Sequence, residues 1–159
     1  MPDQSGRTQL VFSKTKDLSQ LYPMEWLHKL LLCQSTIHSL NGLQNTKLNN
    51  LKLQYCRKLT DVSAISALAL TLEELEIDHC PKISDISICS NLIHLKSLEL
   101  CGTNSIASLA PLKELQHLNI LIVYVNVLDG DLSICKRMRL AACDDRKHYN
   151  VKDQDLPKG

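Results

Sequence analysis

Apolar residues recur along this chain at one fixed spacing, and that spacing constrains the fold more tightly than anything else in it. The clearest copies are Leu48, Leu51, Leu53 and Cys56; Leu72, Leu75, Ile77 and Cys80; Leu95, Leu98, Leu100 and Thr103; and Leu118, Leu121, Val123 and Asn126. Another copy begins at Leu27 and ends on Ser35, so successive copies start 21, 24, 23 and 23 residues apart. A degenerate copy, Leu10, Phe12 and Thr15, precedes them, and a shorter one, Cys135, Met138, Leu140 and Cys143, follows. A unit this short forms one strand and a return, and it cannot bury its own apolar stripe. Stacked neighbours bury a continuous core, so the chain is predicted to be stable only as an array.

The returns carry a second rhythm, with a period of three. Leu59, Val62, Ile65 and Leu68 follow Cys56, and Ile83, Ile86, Cys89 and Leu92 follow Cys80. Three-residue steps suit a 3₁₀-like or polyproline-like path better than an α-helix. The ninth-position row of Thr15, Ser35, Cys56, Cys80, Thr103, Asn126 and Cys143 is expected to turn inward. There it would satisfy backbone groups in the bend after each strand.

This pattern resembles the leucine-rich repeat over roughly residues 7–143. "KLTDVSAISAL", "KISDISICSNL" and "SIASLAPLKEL" are similar to bacterial internalin-type repeats, although Cys often stands where that family has Asn. The resemblance implies a short, curved, right-handed leucine-rich repeat solenoid. A parallel sheet would line the concave face, with 3₁₀ or irregular returns on the convex face. Residues 1–143 would form the array, and the polar residues 144–159 a C-terminal capping tail in which His148 and Tyr149 pack on the last coil. Residues 1–9 offer little apolar material. The first rung is therefore expected to be frayed, paired with another copy, or joined to something upstream.

Composition limits the alternatives. Aromatic residues make up only 4% of the chain, so aliphatic residues must fill the core. A net charge of +1 gives no global pull toward nucleic acid or membrane. No apolar stretch is long enough to span a bilayer, and "MPDQSGRTQLVF" lacks the layout of a signal peptide. Seven cysteines, most of them on ladder or core positions, point to a reducing compartment and a cytoplasmic protein. A Cys56–Cys80 disulfide is the less favoured alternative to free thiols.

Residues between the leucines should point into the concavity. The middle of that face reads acidic, with Glu73, Glu74, Glu76, Asp78 and Glu99 opposed within those two rungs by Lys96 alone. Lys52, Tyr55 and His79 flank it. An apolar group of Ile120, Ile122, Tyr124 and Val125 lies beside it, and Lys136, Arg137, Arg139, Arg146 and Lys147 form a basic end. The acidic rungs are either a solvated face or a docking site for a basic partner. The partner-binding set expected from sequence is Lys52, Tyr55, Glu73, Glu74, Glu76, Asp78, His79, Glu99, Ile122 and Tyr124.

Catalytic patterns are missing. There is no phosphate-cradling Gly-rich loop, Gly-x-Ser-x-Gly or His-Glu-x-x-His motif. Cys135, Cys143 and His148 lack a Cys-x-x-Cys pair, and Cys101 with His79 lacks an oxyanion site. No catalytic residue, metal or cofactor is assigned. The central acids oppose nucleic-acid binding. The sequence thus predicts a non-catalytic module that binds a protein, basic in the sharper reading, on its concave face. An immunity or antitoxin-like sequestering role is one form of it, and an adaptor segment of a larger regulatory protein is the alternative.

Overall fold

A computed structural model describes residues 9–21 and 24–159. The expected opening of the array at residues 1–8, and positions 22–23, lie outside the described residues. Among the described residues, seven strands form one parallel sheet in chain order. They are β1 (Gln9–Ser13), β2 (Lys29–Cys33), β3 (Asn50–Gln54), β4 (Glu74–Asp78), β5 (Ser97–Ile106), β6 (Ile120–Val127) and β7 (Leu140–Cys143). The leucine stations stack in register: Leu30, Leu51, Leu75, Leu98 and Leu121 form one row, and Leu32, Leu53, Ile77, Leu100 and Val123 the next. Every residue in both rows is at most 5% exposed.

The chain returns from one strand to the next through short 3₁₀ turns, including Ser63–Leu68, Ser87–Asn91, Ala110–Leu112 and Ser133–Arg137. Several of these turns share a starter that the period of three does not reveal. The carboxylates of Asp17, Asp61, Asp85 and Asp131 each accept the backbone N–H two residues on, at Ser19, Ser63, Ser87 and Ser133. Asp-x-Ser thus starts the turn as an Asx motif. Ser108 does the same for Ala110. The inward positions that follow, such as Ile65, Leu68, Cys89 and Leu92, are fully buried.

The ninth-position ladder forms in part. Ser35 Oγ donates to Thr15 O at 2.9 Å, Cys56 Sγ to Leu32 O at 3.6 Å, and Cys80 Sγ to Leu53 O at 3.5 Å. Each links its rung to the one before. All seven cysteines are free thiols. Cys56→Val should cost about 1 kcal/mol of unfolding free energy in urea melts, while Cys56→Ser, which keeps a donor, should stay near wild type.

Later rungs depart from the expected ladder. The register slips between Cys101 and Ser105, and Thr103 is exposed. The neighbouring Asn104 makes the cross-rung bond instead, from Nδ2 to Ile83 O at 2.6 Å. In β6 the strand runs on through Asn126, whose amide reaches Ser105 Oγ at 3.1 Å rather than a backbone group. Strand alternation then turns Val123, Val125 and Val127 inward. Val125 is 2% exposed, so it belongs to the core and not to the concave apolar group.

The last rung is also offset, by three residues from the expected Met138 and Leu140 stations. Ala141 pairs with Leu121 and Cys143 with Val123, so these two face inward, while Leu140 shares the outer row with Ile120. Lys136 and Arg137 lie on the return turn, off the sheet face. Arg137 caps the turn before it, donating to the carbonyls of Leu112 and Lys113.

The C-terminal segment lies across this end. Tyr149 is buried; its hydroxyl donates to Val125 O at 2.9 Å and accepts from Val127 N at 3.0 Å. Val151 and Leu156 are also buried. Asn150 ties the segment to Leu132 N and to the Asp131 carboxylate. Lys158 bridges antiparallel to Leu140, and Ala141 N donates to Pro157 O. These contacts cover the free edge of β7, which would otherwise present unpaired backbone groups.

Candidate functional site

The outward positions of the strands form three rows across the sheet. The central row runs Val11, Leu31, Lys52, Glu76, Glu99, Ile122 and Ala142. One flanking row includes Asn50, Glu74, Ser97 and Ile120, and the other Gln54, Asp78, Cys101 and Tyr124. The central row therefore grades from apolar at β1 and β2, through charged at β3 to β5, to apolar again at β6 and β7.

The acidic rungs are mostly neutralised from within. Lys52 Nζ pairs with Glu76 Oε2 at 2.8 Å, and Gln54 Nε2 donates to Glu76 Oε1 at 2.6 Å. Lys96 Nζ pairs with Glu73 at 2.8 Å, Asn50 Nδ2 donates to Glu74, and His79 Nδ1 meets Asp78 Oδ1 at 2.6 Å. Lys96 is thus not alone in opposing these acids. The sequence places Lys52 and Gln54 on another repeat, and only the register brings them to Glu76. Glu99 is the acid of this face with neither ion-pair nor hydrogen-bond partner among the described residues. It lies in register between Glu76 and Ile122.

Two shifted acidities record this environment. Burial opposes ionisation of Glu76, but the Lys52 ammonium and the Gln54 amide outweigh it and hold the carboxyl below its ordinary range. Burial first, then the carboxylates of Asp78 and Glu99, push the Cys101 thiol up to about 11. That thiol is a poor nucleophile at neutral pH. Because Glu76 binds its proton more weakly folded than unfolded, its contribution to stability is present above the ordinary Glu value of about 4.3. It is lost as pH falls through the lower folded value. Lys52→Met should flatten the acid limb of a urea-midpoint profile below about pH 4, lowering the midpoint most near neutrality and least at the acid end.

A second group stands at the rim where the strands end. Lys14, Gln34, Tyr55 and His79, each the residue after its strand, have left-handed backbones with φ of 58, 52, 55 and 49°. Each donates its N–H across to the next rung, as from Tyr55 N to Asp78 O at 2.9 Å and from His79 N to Cys101 O at 2.8 Å. The Tyr55 and His79 rings stack with centroids 4.9 Å apart and planes 16° apart. Tyr55 and Tyr124 are both 41% exposed.

The structure therefore separates the ten residues expected to bind a partner. Lys52, Glu76, Glu99 and Ile122 share the central row; Glu74, Asp78 and Tyr124 lie on the flanking rows. Glu73 precedes β4, and Tyr55 and His79 occupy the rim. Ile120 completes the apolar end, and Leu140 joins it through the three-residue offset of β7, which the repeat spacing could not show. No group of three or more His, Cys, Asp or Glu among the described residues could hold a metal ion. No helix of the described residues is long and apolar enough to cross a membrane.

No family model matches the chain, and no curated protein matches it. Among solved structures, an internalin from Listeria monocytogenes aligns over 89% of this chain with a TM-score of 0.59 and 27% sequence identity. The alignment covers 44% of the internalin chain, so the present chain spans less than half the length of that protein. The seven parallel strands, the short 3₁₀ returns and this likeness identify the fold as a leucine-rich repeat solenoid.

Proposed function

We propose that this chain is a protein-binding module whose sheet face holds a partner protein. The observation that carries the reading is the juxtaposition of Glu99 with Ile120, Ile122 and Tyr124. A carboxylate without a partner sits in register beside an apolar strip that the fold leaves open to solvent. Such a pair suits a partner Lys or Arg flanked by apolar side chains. The partner is therefore basic at its point of contact, and the internal ion pairs of Glu73 and Glu76 reduce the breadth of that charge. Sequestration of a toxic protein, in the manner of an immunity protein, is the sharper form of this reading. Both the repeat fold and the likeness to an internalin support a role in protein interaction in general.

Capture from a lysate of the source cells tests it. Wild type is compared with Glu99→Lys, Ile122→Glu and, exposed outside the sheet between the Ser87–Asn91 turn and β5, Ile93→Glu. Loss of the same captured protein from the first two variants, with recovery by Ile93→Glu unchanged, is expected. Equal recovery by all four proteins, with their circular dichroism intact, would falsify the sheet-face assignment.

A further inference from the structure

We propose that the rim at the C-terminal ends of β2 to β5 is a docking groove for an acidic, extended peptide segment of a protein partner. This surface is distinct from the strip around Glu99 and Ile122, although it rests on the same reading of the chain as a protein-binding module.

Shape supplies the first reason. Two open clefts lie side by side along this rim. One, of about 370 Å³, is lined by Gln34, Ser35, Thr36, Tyr55, Arg57 and Lys58. The other, of about 220 Å³, is lined by Tyr55, Arg57, His79, Pro81 and Thr103. Tyr55 and Arg57 belong to both and stand between them. Rungs lie about 4.8 Å apart, so the clefts run about 14 Å from Gln34 to Thr103, enough for about four residues of extended peptide.

Charge is the second reason. Apart from Glu99, the acids of the sheet are met by in-fold partners, but the cations of the rim are not. Arg57 and Lys58 are exposed and make no ion pair among the described residues, and Lys82, on the next rung, is in the same position. Asp78, which ends β4 beside this rim, is held by His79 at 2.6 Å. A groove with an uncompensated guanidinium at its centre and ammonium groups beside it attracts carboxylates.

Backbone conformation is the third. At the equivalent station after the first stretch of β5 the chain uses Gly102, with φ of 138°. Tyr55 and His79 adopt φ values of 55 and 49° in which a side chain is disfavoured. Their rings stack on each other outside the core, so core packing does not account for keeping bulky residues there. An exposed aromatic shelf that covers the stem of a peptide whose carboxylates meet Arg57 does account for it.

Fluorescence anisotropy at low salt tests the groove with a defined probe, a labelled peptide of about ten residues alternating Glu and Gly around a central Leu. Its competitors are the Gln-for-Glu peptide and an oligothymidylate of similar charge. The expected results are saturable binding of the acidic peptide and binding of the Gln peptide weaker by at least about tenfold. A similar loss is expected in Arg57→Glu/Lys58→Glu. Tyr55→Gly should also lose binding while its melting temperature stays level or rises, which a merely structural Tyr55 would not give. Glu99→Lys should bind the peptide no more weakly than wild type. Absence of binding to wild type, equal binding by Arg57→Glu/Lys58→Glu, or tighter binding of oligothymidylate would each overturn the proposal. None of these would touch the sheet-face reading, which is tested separately by the capture experiment with Glu99→Lys and Ile122→Glu.

Discussion

Leu98→Ala is expected to lower the unfolding free energy by about 3–4 kcal/mol and to sharply reduce the urea midpoint. Leu98 is fully buried in β5, with Leu75 of β4 on one side and Leu121 of β6 on the other. Truncation removes apolar contacts and leaves a cavity that rigid neighbours on both sides cannot close. An array is held together by its rung-to-rung interfaces, so a weakened central rung weakens both halves at once. Leu10→Ala makes the comparison. Leu10 is half-buried in the first strand, which among the described residues pairs only with β2, and its truncation should cost about 1 kcal/mol. Similar losses at the two positions would mean that the rungs do not support one another as an array.

Gly130→Ala should have the next largest effect, and it should act on the C-terminal segment. Gly130 has φ of 68°, where an L side chain is disfavoured. An added Cβ would lie within 2.3 Å of His148 O, a backbone atom that can yield only if the chain around it shifts. The same stretch holds Asn150 N against Gly130 O and the Tyr149 hydroxyl between Val125 and Val127. The expected cost is about 2–3 kcal/mol. Faster amide exchange at Val127 and earlier proteolysis within residues 144–159 should accompany it. An unchanged midpoint with unchanged exchange would mean that this contact is not as close as the geometry requires.

How far the sequence announces this molecule depends on the level of structure. Leucine spacing reports the stacked rows from Leu30 to Leu121 because each inward station needs a large aliphatic side chain, and only an in-register array provides those stations. It also reports Cys56 and Cys80 as ladder residues, since a thiol can donate where the family has an amide. It misreads β5 and β7 because strand register is set by hydrogen bonding, and one residue of slip exchanges faces. Thr103 and Asn104 are both plausible ladder donors on spacing alone, and Leu140 fits an inward station better than Ala141 does. The concave charges show a different limit. Glu76 reads as exposed and unopposed until the sheet sets Lys52 and Gln54 beside it from a strand 22 to 24 residues away in the chain. Sequence locates the face, and pairing across rungs decides which of its charges remain available. Tyr55 and His79 are legible as face residues, but their left-handed backbones, which set them at the rim, are not.

Site-specific photo-crosslinking measures directly whether the sheet face, and not the return side, holds the partner. A benzoylphenylalanine placed at Tyr124 or at Ile122 reports the sheet face; one at Leu70 or Ile93, both prominently exposed, reports positions outside it. Crosslinks to a single protein from Tyr124 and Ile122, and none to that protein from Leu70 or Ile93, are the predicted result. Crosslinks to the same partner from Leu70 and Ile93, with Tyr124 and Ile122 silent, would contradict it.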